Sequence, residues 1–290
     1  TNMATEGGFI SLEPISSSTV TLDLNNYTLH NGQTNGDLIS YGFPADSQFS
    51  LYIKDSQFDT QVSGSGLITI TDNDASQGII VIELDHVNFT QIGGVLSLTV
   101  GNNCTLSVLA TNNTFANNTA NRGGVMYISM GAPSNISMEL HDNHFTGNTA
   151  DWGGVVAVFT SYNSQAQLNW TNNLFDGNGN VDNVIGAILY YESYEQCTDS
   201  LFFDNNIIQY NAAGSGIVVL QTAYNSTQTL TITNSLLQYN QVTDHEGFVS
   251  MTASSQCNQT LYMINNQVLD NTASGTGGMV FLGGQSDQNI

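Results

Sequence analysis

The stretch Asn113-Thr-Phe115-Ala-Asn-Asn118-Thr-Ala-Asn-Arg-Gly123-Gly124-Val-Met-Tyr-Ile returns one period later as Asn143-His-Phe145-Thr-Gly-Asn148-Thr-Ala-Asp-Trp-Gly153-Gly154-Val-Val-Ala-Val. A third copy, Asn173-Leu-Phe175-Asp-Gly-Asn178, carries its Gly186-Ala-Ile-Leu-Tyr late. Downstream the pattern thins to Asn206-Ile-Ile208-Gln-Tyr-Asn211, Leu237-Gln-Tyr-Asn240 and Val268-Leu-Asp-Asn271 before Gly277-Gly278. Upstream it survives as Thr28-Leu-His-Asn31, Phe58-Asp-Thr-Gln61 and Phe89-Thr-Gln-Ile92. Anchors at 28, 58, 89, 115, 145, 175, 208, 237 and 268 are spaced 30, 31, 26, 30, 30, 33, 29 and 31 residues. Gly7 to Gly277 spans 270 residues, nine periods of 30. Such phase marks a repeat architecture.

Within each period, apolar and polar residues alternate in short runs such as Gly154-Val-Val-Ala-Val-Phe-Thr and Gln167-Leu-Asn-Trp-Thr-Asn. Alternation is the strand period, and no helical stripe interrupts it. Three short strands per period of about 30 residues predict an all-β chain, a right-handed parallel β-helix of about nine coils. At one strand spacing per coil the rod would be roughly 43 Å long. Residues 1–290 read as a single domain, a segment or protomer of a longer rod. A leucine-rich repeat is shorter, and a propeller blade needs more residues and four strands. In the β-helix the Phe position points inward and stacks on its neighbours. The Asn three residues on is expected at an αL turn and in an amide ladder. Gly-Gly turns a tight corner before the longest strand.

The repeated Phe-x-x-Asn with Gly-Gly-(Val/Ala/Ile) resembles the repeats of the chlamydial polymorphic outer-membrane proteins and of related β-helix surface proteins of microbial eukaryotes. The resemblance spans nearly the whole chain, and both tetrapeptides match in full around Phe115 and Phe145. It implies an adhesin or surface structure rather than an enzyme.

Composition narrows the function. The 290 residues hold 24 acidic side chains against two basic ones, Lys54 and Arg122, for a net charge of −22. Nucleic acid and anionic membrane surfaces are poor partners for such a chain, because both need Lys and Arg. No stretch approaches the roughly 18 apolar residues of a membrane span. The start, Thr1-Asn2-Met3-Ala4-Thr5, reads as that of a mature product or an interior piece. The chain opens and closes at the same phase of the repeat, which suggests end-to-end self-association into a filament or a longer helix.

The residues offer little to an enzyme. A polysaccharide lyase would need a basic residue among acids, and a glycoside hydrolase would need converging carboxylates. The tight acidic clusters are Asp72-Asn-Asp74 and Glu192/Glu195, both read as turn residues. His141-x-x-His144 is too common a spacing to mark a metal site. A passive carbohydrate-binding module would expose an aromatic row, for which Trp152 and Trp170 are too few and out of register. No catalytic residue, cofactor or metal is therefore expected.

Two residue classes carry the remaining expectations. Cys104, Cys197 and Cys257 each lie 11 residues before an anchor, at one corner of different coils. Neighbours two coils apart would sit roughly 9–10 Å from each other, beyond disulfide reach. They read either as small buried thiols or as candidates for bonds to a neighbouring chain. Nine Asn-x-Ser/Thr triplets occur against roughly seven by chance. Phase and alternation single out Asn103, Asn135, Asn169, Asn225 and Asn258 for N-linked glycans, and secretion to an extracellular or cell-surface location goes with them.

Overall fold

The computed structural model describes residues 10–12, 17–34, 37–42, 44, 46–62, 66–71, 77–181, 184–274 and 278–285, and all of the structure they form is β or turn. Three parallel sheets run the length of the chain. Sheet I has ten strands, from Ile10–Leu12 to Val280–Gln285; sheet II has nine, from Thr19–Asn25 to Asn258–Ile264; sheet III has nine, from Thr28–Thr34 to Gln267–Leu269. Each coil visits the three in turn, which is the parallel β-solenoid expected from the repeat. Two small sheets fill the passage from sheet III back to sheet I: Thr119–Arg122 beside Thr149–Trp152, and Ala212–Ser215, Gln241–His245 and Thr272–Ala273 together.

The anchors form one register column: Leu29, Phe58, Phe89, Phe115, Phe145, Phe175, Ile208, Leu237 and Val268. The first member is Leu29 rather than Thr28, because only the apolar neighbour can face the core. Phe58 through Phe175 are fully buried, and their rings stack in near-parallel pairs with centroids 4.9–5.3 Å apart. Each buried Phe contributes on the order of 1.5–3 kcal/mol, and each stacked pair about 1 kcal/mol more.

The asparagines follow a finer rule than expected. Asn118, Asn148, Asn178, Asn211 and Asn240 are buried and linked side chain to side chain at 2.9–3.0 Å. The αL backbone belongs instead to the residue before each: Asn117, Gly147, Gly177, Tyr210 and Tyr239 all have φ near +60°. A second ladder, Asn113, Asn143, Asn173 and Asn206, runs at the opposite end of each sheet III strand. These amides satisfy backbone groups that every coil corner would otherwise strand in the core.

Gly123, Gly153, Gly186 and Gly216 repeat φ values of +56° to +72°. A Cβ on Gly124 would stand 2.2 Å from the Gly154 carbonyl oxygen, so this corner admits no side chain. The strands it opens, in sheet I, have three to six residues, whereas the longest strands are those of sheet II, with seven or eight. Sheet II therefore holds the place that the sequence assigned to the Gly-Gly strand. Gly7 and Gly277 lie outside the described residues.

Candidate functional site

The outer face of sheet I gathers the chemically distinctive side chains. Alternation in Leu189–Tyr194 sends Leu189, Tyr191 and Ser193 inward and Tyr190, Glu192 and Tyr194 outward. Parallel register then sets Glu192 beside Gln221, Thr252 and Gly283 in a row along the rod axis. The loop after Gln241–His245 brings Glu246 over this row, closing a cleft of about 530 Å³ that also touches Phe281 and Gly284. Tyr190 Oη lies 2.9 Å from Glu192 Oε2 and 3.1 Å from Gln221 Oε1, which fixes both side chains along the row. Burial first, and Glu192 second, hold the Tyr190 phenol well above its ordinary pKa, so it stays protonated and donating. Glu246 Oε2 is buried without a hydrogen-bond partner.

Earlier coils of the same face carry an aromatic cluster. Trp152 stacks on Tyr190 with centroids 5.8 Å apart, and Phe159 leans on Tyr127 and Tyr190 at 5.8 and 5.5 Å. The Arg122 guanidinium covers Trp152 at 4.5 Å, Phe159 at 5.3 Å and Tyr127 at 5.8 Å. Arg122 covers this cluster, whereas Tyr210 and Tyr239 stack in parallel at 5.1 Å with more than two-fifths of each ring residue exposed.

Inside the solenoid, the corner from sheet I to sheet II holds a polar knot. Asp199 is 2% exposed, and burial pushes its carboxyl up to about 7, the Tyr191 and Ser193 hydroxyls and the Ala166 backbone pulling back only in part. Gln228 lies in register with it on the next coil and is fully buried. These groups have no route to a ligand and belong to the scaffold.

The residues singled out in the sequence are dispersed. Glu192 lines the cleft, but Glu195 sits at the following turn with φ +65°; Asp72 and Asp74 lie outside the described residues. His141 contacts Thr171 and Glu139, while His144 faces solvent on a sheet III strand. Lys54 does have an acid beside it, since its Nζ lies 3.4 Å from Asp85; the pair is exposed and contributes little. Trp170 is a core residue stacked on Phe203 at 4.5 Å. Among the described residues, no three His, Cys, Asp or Glu side chains converge as metal ligands.

Cys104 and Cys197 turn inward and are 1% exposed, so a bond to a neighbouring chain is open only to the half-buried Cys257. The cysteines share their column with serines. Ser134 Oγ accepts from the Cys104 N–H at 3.3 Å and Ser226 Oγ from the Cys197 N–H at 3.0 Å, and the Cys197 and Cys257 thiols donate to the Tyr194 and Ser254 carbonyls. This third corner was readable: 11 residues before successive anchors stand Ser47, Gly78, Cys104, Ser134, Ser164, Cys197, Ser226 and Cys257.

Asn103, Asn135, Asn225 and Asn258 are exposed and Asn169 half-buried, all pointing away from the core. The other four triplet asparagines, Asn26, Asn88, Asn112 and Asn117, are exposed too. No ladder asparagine belongs to a triplet: the residue two places on is apolar at every one of them, as Phe115 after Asn113 and Ala120 after Asn118, except at Asn178, where it is Asn180.

Among known proteins, the chain matches no family model and no curated protein. One solved structure, the crystal structure of a TibC-catalyzed hyper-glycosylated TibA fragment, aligns over 90% of this chain and 99% of that one. Identity is 11% and the TM-score 0.13.

Proposed function

We propose that this chain is an extracellular, glycosylated β-helical rod with a structural or adhesive role at a surface. The supporting observation is the division of labour among its asparagines. One set is buried and spent on ladders that stiffen every coil from Asn113 onward, and the other set stands outward in triplets that a glycosyltransferase can reach. Stiffness follows from nearest-neighbour stacking, which extends a rod at constant cost per repeat. Low charge density suits the same role, since only 9% of residues are charged and hydroxyls and amides dominate the outer face of sheet II.

The test is glycopeptide mapping of the chain secreted from a eukaryotic host, with expected occupancy at most of Asn103, Asn135, Asn169, Asn225 and Asn258. Bare asparagine at all five overturns the proposal. Cleavage of a plant or microbial polysaccharide by the purified chain would establish the enzymatic alternative in its place.

A further inference from the structure

The cleft under Glu246 is acceptor-rich. Glu192 and Glu246 supply carboxylates, Thr252 and Ser254 hydroxyls, and the Phe281 ring packs over Gly283, where a Cβ would stand 2.8 Å from it. Tyr190 donates its one phenolic proton within the row, to Glu192 and Gln221, and so offers none to a visitor. The chain around the cleft carries −22, and neither of its two basic side chains reaches in: Arg122 is held by Trp152, Phe159 and Tyr127, and Lys54 by Asp85. A buried carboxylate oxygen without a partner costs free energy that a cationic donor would recover.

We propose that this cleft receives the basic side chain of a partner protein, an arginine guanidinium or lysine ammonium carried on an extended segment lying along the rod. Charge complementarity selects the occupant. An anionic ligand would meet two carboxylates. An N–H-rich cation fits the spacing: the row from Glu192 to Gln221 and Thr252 offers one acceptor position per coil and ends where the Phe281 ring packs over Gly283. Arg122 shows on this same face how such a group is held, with a guanidinium seated over an aromatic ring at 4.5 Å. Phe281 on the cleft wall offers a ring of the same kind. The site does not depend on whether the rod is glycosylated.

The test is calorimetric titration of the whole chain with capped Gly-Arg-Gly and Gly-Lys-Gly peptides, against capped Gly-Glu-Gly and a neutral trisaccharide. Basic peptides should bind and the other two should not. Glu246→Gln and Glu192→Gln should each weaken binding by about thirtyfold or more, the range expected when one partner of a buried, hydrogen-bonded charge pair is removed. Glu83→Gln combined with Asp23→Asn removes the same charge from the exposed outer face of sheet II and should leave the affinity unchanged. Equal weakening by this control pair would reduce the effect to the field of the whole molecule and overturn the site. Undiminished binding in the Glu192→Gln/Glu246→Gln double variant, stronger binding of the trisaccharide, or no binding of either basic peptide would do the same.

Discussion

Asn148 reaches Asn178 Oδ1 twice, from its backbone nitrogen and from its side-chain nitrogen, each at 3.0 Å, and the same side chain donates to the Phe115 carbonyl one coil behind at 2.9 Å. One amide thus ties three coils together inside a dry corner. Its own Oδ1 accepts the Asn118 backbone and side-chain N–H groups at 3.1 and 2.9 Å, so every polar atom of the side chain is used. Fully satisfied networks of this kind rigidify a core, and partial ones weaken it.

Replacing Asn148 by Ala should therefore be costly. Two donated and two accepted bonds disappear; the buried Asn118 backbone N–H loses its acceptor, and the Phe115 carbonyl loses the side-chain donor. The expected loss is about 2–4 kcal/mol of apparent stability in urea denaturation. Asn121→Ala, at an exposed strand position, should change stability by less than about 0.5 kcal/mol. Similar midpoints for the two variants would mean that the ladder contributes little.

The glycine corners give a second contrast. Gly124→Ala drives a methyl group into the Gly154 carbonyl oxygen at 2.2 Å and should unfold or misregister the neighbouring coils. Gly284→Ala meets nothing within 4 Å and should be neutral. Thermal melts of the pair decide the matter, and a stable Gly124→Ala variant would contradict the tight corner.

What the sequence disclosed and what it hid have one physical cause. Positions that every coil must reuse leave a periodic trace. The Phe column, the Gly-Gly corner and the ladder asparagines were legible for that reason, and so was the common corner of Cys104, Cys197 and Cys257. The one-residue error at Thr28 arose where the trace had eroded and only the burial of Leu29 decides the register. The cleft was hidden because it departs from the repeat: Glu246, 54 positions from Glu192, stands with φ +81° at the corner place that Gly123, Gly153 and Gly186 hold in earlier coils, three residues before the sheet I strand. Reading Glu192 with Glu195 as a pair was a matter of sequence proximity alone; the chain turns between them.

Trypsin has two sites in the chain, and both are protected. Arg122 closes a strand paired with Thr149–Trp152 and its guanidinium lies over three rings; Lys54 ends a strand of sheet II and pairs with Asp85. A protease needs a local extended loop that can leave the fold, which neither strand supplies. The native chain should persist under trypsin concentrations that digest it fully in urea. Rapid native cleavage after Arg122 would show that the Gly123 corner opens readily.

Asp199 makes stability depend on pH with an unusual sign. Its carboxyl titrates at about 7 in the fold because burial disfavours the anion, against an ordinary value of 3.8. Below the ordinary value both states hold the proton and the group is silent. Between the two values the folded chain keeps a proton that the unfolded chain has released, so stability falls as pH rises. Above about 7 the anion is buried and the whole penalty, of order 4 kcal/mol, is in force. Most acidic proteins lose stability on acidification; the coils around Asp199 should instead gain it from about pH 8 down to about pH 4. Asp199→Asn fixes the neutral form in the same volume, so it should raise the urea midpoint at about pH 8 and leave it unchanged near pH 4. Equal slopes of midpoint against pH in the two proteins would show that Asp199 is already ionised in the fold at low cost.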